Sequence, residues 1–154
     1  MTICFVTGAS GFVARHLVPR LARDHRLRLL VKQDQHLPHF DAFAPERVAG
    51  RLDDEGALAA GLRGADVVVH LAAIVSFRPE DRSAMFATNA RATATLAELA
   101  LRAGVRRFLH VSTISAIGFS DRPVELDERT PYNFGRLGIG YCDSKFAEIG
   151  RAHV

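Results

Sequence analysis

The stretch that decides the fold is Thr2-Ile3-Cys4-Phe5-Val6-Thr7-Gly8-Ala9-Ser10-Gly11-Phe12-Val13-Ala14. Its first part, residues 2–6, is a short apolar run of the kind that forms a buried β-strand, and Gly8 bounds it. A helical pattern begins at Gly11 and extends to about residue 24, with its apolar side chains on one face. A strand, a glycine turn and a helix in this order are the opening of a βαβ unit.

The same alternation continues along the chain. Further strands are predicted at 27–31, 47–49, 66–70 and 108–112. Helices are predicted at 54–62, 79–102 and 140–154, and loops at 33–45 and 118–140. Pro19 interrupts the first helix, because its ring clashes with the carbonyl of Arg15. We therefore expect that helix to kink or to end early.

Strands that alternate with helices indicate a parallel sheet with right-handed crossovers. The apolar strands fit a sheet that is covered on both faces. The predicted fold is α/β, a doubly wound parallel sheet of the Rossmann type with strand order 3-2-1-4-5. The length of 154 residues fits one domain with its own core, and a hydrophobic content of 48% argues against disorder.

The glycine turn has the spacing of a phosphate-binding loop. Gly8 permits the tight turn, and Gly11 lets the backbone approach a pyrophosphate at the positive end of the following helix. Ala14 is small enough to pack against the sheet. The sequence therefore predicts a dinucleotide site, although a glycine turn that binds nothing is the alternative.

Lys32 follows the second strand, where this type of fold faces the adenosine ribose. A basic side chain there suits a 2′-phosphate, so Lys32 and the nearby Arg15 favour NADP(H). The alternative is a lysine that faces only solvent. Asp34 is close enough to keep NAD as a second possibility.

Tyr141 and Lys145 stand four residues apart, so they share one face of the predicted last helix. An ammonium beside a phenol favours the phenolate and lowers the phenol pKa, which makes Tyr141 a general acid or base. Lys145 can also bind the nicotinamide ribose, and the alternative is an ordinary surface pair. Thr113 lies at the carboxyl edge of the sheet and could hold a substrate oxygen. Ser112 competes for that role, and either hydroxyl could instead satisfy local backbone groups.

Several kinds of function are disfavoured by composition. The net charge of +3 comes from scattered basic residues, with no run longer than Arg106-Arg107, so a nucleic-acid surface is not expected. The cysteines, Cys4 and Cys142, are far apart, and the seven histidines show no metal-ligand spacing. No apolar stretch reaches the ~20 residues that span a bilayer, and no secretion signal is recognisable. We expect a cytoplasmic protein without a structural metal or disulfide.

Four stretches together resemble the extended short-chain dehydrogenase/reductase superfamily, in its epimerase/dehydratase branch. They are the glycine loop at 7–17, the strand-four signature at 66–73, the Ser/Thr segment at 111–118 and Tyr141-Cys-Asp-Ser-Lys145. Among its members, the chain is similar to dihydroflavonol-reductase-like and 3β-hydroxysteroid-dehydrogenase-like proteins. The resemblance covers essentially the whole chain.

The resemblance implies roles for individual residues. Thr113, Tyr141 and Lys145 take the catalytic positions, and Asn89 takes that of an asparagine that braces the active site. Arg51 replaces the acidic residue that contacts adenine in the family, which leaves Leu52 to line that pocket. The residues implied in cofactor binding are Gly8, Ser10, Gly11, Phe12, Val13, Lys32, Leu52, Leu71, Ala72, Ala73, Asn89, Tyr141 and Lys145.

The function that the resemblance implies is NADP-dependent, or NAD-dependent, hydride transfer to or from a carbonyl or secondary alcohol of a small molecule. Members of the family continue through a sixth strand and a C-terminal substrate lobe, so the chain is expected to be an N-terminal part. The alternative is a non-catalytic NAD(P)-binding sensor or assembly module. A homodimer could form through the apolar face along 84–101, unless that face packs on the sheet.

Overall fold

The computed structural model describes the backbone of residues 1–152 and the side chains of residues 1–150. Five strands form one sheet, in which all neighbours pair in parallel in the order β3-β2-β1-β4-β5. This order confirms the sequence prediction. The strands are β1 (Thr2–Thr7), β2 (His25–Val31), β3 (Glu46–Ala49), β4 (Val67–His70) and β5 (Arg107–His110).

The α-helices are α1 (Phe12–Leu21), α2 (Glu55–Leu62), α3 (Arg82–Met85), α4 (Thr93–Arg102) and α5 (Gly140–Ala152). Short 3₁₀ turns lie at Pro38–Phe43, Pro79–Asp81, Ile114–Ala116 and Phe134–Leu137. The chain forms two compact units. The first comprises Met1–Ala72 and Thr95–Val111 and holds the sheet; the second comprises Ala73–Ala94 and the residues from Ser112 onward.

In the first unit both faces of the sheet are covered, as predicted. Successive side chains of a strand point to opposite faces, and Val6 and Phe5 accordingly belong to different core clusters. The Val6 cluster includes Ala14 and Val18 of α1. The other contains Leu58 and Leu62 of α2 and Leu96 and Ala100 of α4. Part of the apolar face along 84–101 is therefore used by the sheet.

In the second unit α5 packs against α3, the segment 86–92 and the turn at Ile114–Ala116. Gly140 lies close to α3, since a Cβ on it would be 2.8 Å from the Cε at the flexible end of the Met85 side chain. The prediction that this helix continues through 153 and 154 concerns residues outside the described part of the chain.

Several predicted elements need correction. The first helix ends at Leu21 rather than near residue 24, the early end expected from Pro19. The predicted loop at 33–45 contains the 3₁₀ turn Pro38–Phe43, held by the fully buried Phe40. The predicted loop at 118–140 likewise contains the turn Phe134–Leu137. Predicted strand ends differ from the observed ones by one or two residues.

The predicted helical stretch at 79–102 is unbroken, but the type of helix changes along it. It starts as a 3₁₀ turn, becomes α3, and then forms a π-helical segment at Phe86–Ala92 before α4. A π turn holds an extra residue, and such segments occur often at functional sites. With this extra residue, the spacing of apolar residues in the sequence is still that of a helix. The spacing therefore could not reveal the π-helical segment.

Candidate functional site

The glycine turn lies in the first unit, between β1 and α1. Gly8 has φ +73°, and its carbonyl accepts a hydrogen bond from the Gly11 N–H at 3.0 Å. A Cβ on Gly8 would lie 2.5 Å from the Ala72 nitrogen. Both the backbone conformation and the close approach of the chain after β4 therefore require glycine at this position.

The surface of this turn is open. Ala14 is fully buried, as expected for its contact with the sheet, whereas Ser10 and Gly11 are exposed and Phe12 is 78% exposed. Val13 is 47% exposed. Gly11 is the N-cap of α1, and within the described residues no side chain caps this helix end. Its first N–H groups are thus able to bind an anion such as a pyrophosphate.

Other predicted cofactor residues of the first unit lie around the ends of the strands. Lys32 directly follows β2 and is exposed. The Leu71 N–H donates to the Thr7 carbonyl at 3.2 Å, so the chain after β4 stays alongside β1. Leu52 is half-buried against the cluster that contains Phe5. Ala73, by contrast, belongs to the second unit.

A buried contact between β1 and β4 was missed by the sequence analysis. The Thr7 Oγ1 and the His70 Nδ1 lie 2.6 Å apart, and both side chains are buried. The His70 ring stacks on His110 of β5, with ring centroids 5.3 Å apart. These side chains link the carboxyl ends of three adjacent strands. The only signal in the sequence was a histidine at the end of both β4 and β5.

In the second unit Tyr141 and Lys145 lie four residues apart on α5, as predicted. Tyr141 is half-buried, and its ring meets the edge of Phe77 at a centroid distance of 6.3 Å. Lys145 is 2% exposed, and its ammonium forms an ion pair with Glu148, which is 1% exposed. A buried charge requires a partner of opposite charge. The Glu148 carboxylate is such a partner for the Lys145 ammonium. Its i, i+3 spacing from Lys145 could have indicated this pair.

Asn89 is fully buried in the π-helical segment. Its Oδ1 accepts from the Ile74 N–H at 2.8 Å, and its Nδ2 donates to the Ile74 carbonyl at 2.9 Å. The Nδ2 also donates to the Ser144 Oγ at 3.0 Å, and the Ser144 hydroxyl donates to the Tyr141 carbonyl at 2.8 Å. Asn89 therefore ties the segment around Ile74 to the helix that carries Tyr141.

Thr113 is half-buried and precedes the turn Ile114–Ala116. Its Oγ1 accepts a hydrogen bond from the Ser115 N–H at 3.3 Å, which is the local backbone role considered as the alternative. Ser112 is exposed.

Asp143 lies between Tyr141 and Lys145 and was not identified from the sequence. Its Oδ1 accepts from the Tyr132 hydroxyl at 2.7 Å, and its Oδ2 accepts from the Arg82 Nη1 at 2.7 Å. Burial, and then the Asp143 carboxylate, raise the pKa of Tyr132 above its ordinary value. Tyr132 is therefore held as a neutral donor.

Cys4 and Cys142 are free and buried, and burial raises the pKa of each thiol. Among the residues described, no group of three His, Cys, Asp or Glu side chains could hold a metal ion. None of the described helices is long and apolar enough to cross a membrane. A cytoplasmic location stays a prediction from the sequence.

Comparison with known proteins shows the family to which the sequence is similar. The model of the NAD dependent epimerase/dehydratase family matches residues 4–147. The sterol demethylase protein B of Methylococcus capsulatus is 37% identical over 116 residues, which cover 75% of this chain and 35% of the relative. The 3 beta-hydroxysteroid dehydrogenase/Delta 5→4-isomerase of Mycobacterium tuberculosis is 34% identical over 147 residues, covering 91% and 39%.

Among solved structures, DesIV, a dTDP-glucose 4,6-dehydratase of Streptomyces venezuelae with NAD and TYD bound, is similar with a TM-score of 0.82 and 27% identity. The match covers 97% of this chain and 50% of that one. The match covers 35% of the Methylococcus relative and 39% of the Mycobacterium relative, so the chain spans well under half the length of these two proteins.

Proposed function

Because the chain belongs to the NAD dependent epimerase/dehydratase family, we propose that it is an NAD(P)-dependent oxidoreductase or epimerase. It acts on a carbonyl or secondary alcohol of a small molecule, and residues 1–154 form its NAD(P)-binding domain, the N-terminal part of a longer protein. The observation that carries the proposal is the open glycine turn, which requires glycine at Gly8. A family match from 4 to 147 includes this turn together with Tyr141 and Lys145.

The turn fits a dinucleotide. Gly8 brings the backbone of Leu71 and Ala72 close, and the uncapped N-terminus of α1 offers N–H groups to a pyrophosphate. The exposed side chains of Ser10, Phe12 and Val13 would line this binding surface. Bound NAD(P) supplies hydride chemistry at its nicotinamide ring.

The remaining cofactor contacts are proposed from the family pattern. Leu52 would line the adenine pocket, Ala73 would continue the contact of Leu71 and Ala72, and Lys145 would bind the nicotinamide ribose. Asn89 would act by bracing α5, since its side-chain contacts are with Ile74 and Ser144.

NADP is the proposed cofactor, with NAD as the second candidate. An exposed lysine directly after β2 is able to pair with a 2′-phosphate. NAD, in turn, is bound in the DesIV structure. Fluorescence titration with NADPH and with NADH decides between them, and a chain that binds neither at millimolar concentration contradicts the proposal as a whole.

The proposed chemistry is a proton relay that accompanies hydride transfer. In reduction, the Tyr141 hydroxyl donates its proton to the substrate oxygen while hydride adds to the carbonyl carbon; in oxidation both transfers reverse. Thr113 would hold the substrate oxygen by a hydrogen bond, and Lys145 would position the ribose and support Tyr141.

We predict that Tyr141→Phe abolishes turnover and leaves the dinucleotide dissociation constant nearly unchanged. The phenyl ring keeps the shape but has no proton to transfer, so a loss of about 10²–10⁴-fold in kcat is expected. The measurement is NADPH oxidation with an activated α-diketone, 9,10-phenanthrenequinone, as acceptor. Turnover at the wild-type rate in this variant would rule out Tyr141 as the proton donor.

A second candidate is a non-catalytic NAD(P)-binding sensor or assembly module, including a homodimer. The edge of the described sheet favours it, because β5 is the last strand of the order, and Leu109 in β5 and Val111 just after it are 47% and 45% exposed. An exposed apolar edge is a surface on which another chain can pair. Dinucleotide binding without turnover, together with a dimer mass in light scattering, would support this candidate over the enzyme.

A further inference from the structure

We propose that Asp143 is a positioning residue, whose carboxylate fastens the segment 118–139 to the helix that carries Tyr141 and Lys145. We call its contacts with Tyr132 and Arg82 the Asp143 latch. This inference rests on the proposed function, because it assigns to Asp143 the task of holding Tyr141 in place for that reaction.

The first step is the place of Asp143 on α5. It lies two residues after Tyr141 and two before Lys145, which is about 200° around the helix from each. Asp143 is 9% exposed, and each carboxylate oxygen accepts one hydrogen bond, from Tyr132 and from Arg82. The carboxylate therefore acts on the far side of the helix, through groups other than Tyr141.

The second step is the double contact of Tyr132 with α5. Its hydroxyl donates to Asp143, and its ring stacks on Phe146 with a centroid distance of 4.0 Å and an angle of 6°. Asp143, Cys142 and Arg82 are the ionisable groups that act on this hydroxyl. Because its pKa is raised, the phenol stays a donor to Asp143 at neutral pH.

The third step connects Tyr132 to the rest of the segment. The neighbouring Asn133 donates from Nδ2 to the Phe119 carbonyl at 2.7 Å and accepts from the Phe119 N–H at 3.0 Å. This reciprocal pair closes the chain between 119 and 133 into a loop. Whatever holds Tyr132 consequently holds the base of that loop.

The fourth step is the contact with α3. Arg82 pairs with Asp143, and its guanidinium also lies over the Phe86 ring at 5.0 Å. Gly140, at the start of α5, lies against Met85, whose Cε would be 2.8 Å from a Cβ added there. The first turn of α5 is thus fixed by α3 and by Tyr132 together. Loss of the carboxylate would release both partners and with them the orientation of Tyr141.

The first test is limited trypsin digestion of the full chain, well below its unfolding temperature. The segment offers Arg129 and Arg136 as cleavage sites, whereas trypsin does not cut the bond between Arg122 and Pro123. Asp143→Asn is expected to raise the cleavage rate there about tenfold, the effect of losing a charged hydrogen-bond acceptor. Tyr132→Phe should raise it less, since the ion pair between Asp143 and Arg82 remains.

Asp53→Asn is the matched control, because Asp53 is an exposed carboxylate that pairs with the exposed Arg51 in the first unit. It should leave the cleavage rate unchanged. A wild-type rate in Asp143→Asn would overturn the latch.

The second test is spectroscopic and independent of activity. The chain has two tyrosines and no tryptophan, so Tyr141→Phe leaves Tyr132 as its single phenol. Tyrosinate absorbance should then titrate above the ordinary pKa of about 10. Adding Asp143→Asn should lower that midpoint, although burial keeps part of the shift. Equal midpoints in the two variants would contradict the contact.

The third test is the reaction itself, with 9,10-phenanthrenequinone and NADPH. Asp143→Asn should lower kcat and leave the NADPH dissociation constant unchanged, and Asp143→Glu, which keeps the carboxylate, should restore part of kcat. An unchanged kcat in Asp143→Asn would overturn the positioning role alone. Failure of the wild-type chain to turn over would overturn the proposed function and the positioning role together, while trypsin and the titration would still decide whether the latch exists.

Discussion

Arg28 is a charged side chain within an apolar sheet, and its contacts explain why it is tolerated there. It lies on β2, and its Nη1 donates to the carbonyls of Gly61 and Arg63 at 2.6 and 2.8 Å. These carbonyls lie at the end of α2, where the last groups of a helix lack partners within it. The Nε is 2.9 Å from a carboxylate oxygen of Glu46 on β3. One side chain thus joins two strands to the end of a helix.

We predict that Arg28→Met lowers the free energy of unfolding by about 2 kcal/mol, because two helix-end carbonyls lose a charged donor. Equilibrium unfolding in urea measures the change. Arg26→Met is the control, since Arg26 is an exposed residue of the same strand, and it should change stability by less than about 0.5 kcal/mol. Equal losses in the two variants would show that Arg28 does not cap α2.

Among the elements, the glycine turn after β1 lies close to the chain after β4, and this is possible because Gly8 has no Cβ. Gly8 and Gly64 both have positive φ, +73° and +65°. A Cβ on Gly8 would meet the backbone of Leu71 and Ala72, whereas one on Gly64 would have nothing within 4 Å among the described residues. Substitution of Gly64 therefore measures backbone strain alone, whereas substitution of Gly8 measures backbone strain together with a steric clash.

We predict that Gly64→Ala costs about 1–2 kcal/mol, the strain of a left-handed backbone with a side chain. Gly8→Ala should cost about 1–3 kcal/mol more, because the new methyl group forces β1 and the chain after β4 apart. It should also weaken NADPH binding, while Gly64→Ala should not. Urea unfolding and fluorescence titration measure the two effects, and identical behaviour of the variants would exclude the steric explanation.

For the whole molecule, buried phenol and thiol groups that are uncharged at neutral pH make the free energy of unfolding depend on pH in the alkaline range. The pKa of Tyr132, Cys4 and Cys142 is raised in the folded chain, in each case first by burial. A group whose folded pKa exceeds its unfolded value contributes stability that is fully present below the unfolded pKa. That stability is lost as pH rises through the folded pKa.

We predict that the free energy of unfolding falls as pH rises from about 8 to 11, since unfolded thiols and phenols ionise near 8.5 and 10. The loss should begin with the thiols and continue with Tyr132. Urea unfolding at a series of pH values measures it, and Tyr132→Phe should flatten the curve above about pH 10. A stability that increases over this range would contradict the assignment of buried neutral acids.

The strand order, the glycine turn and the presence of Tyr141 and Lys145 on one helix followed from the sequence. The turn and the shared helix depend on residues that are close in the chain, such as an apolar run bounded by a glycine or two side chains four residues apart. Backbone geometry converts such short spacings directly into faces and turns. The strand order followed instead from the alternation of strands and helices along the whole chain. The resemblance to a family favoured Thr113 over Ser112 for the catalytic position and added a bracing role for Asn89, which no spacing suggested.

Other features were decided only in three dimensions. The partner of Asn89 on α5 is 55 residues away in sequence, that of Asp143 on α3 is 61 away, and Thr7 and His70 are 63 apart. The π-helical segment around Asn89 likewise left the helical pattern unchanged. Hydrogen bonds of buried side chains depend on which distant groups the packed chain brings within 3 Å, and a sequence pattern carries no information about that.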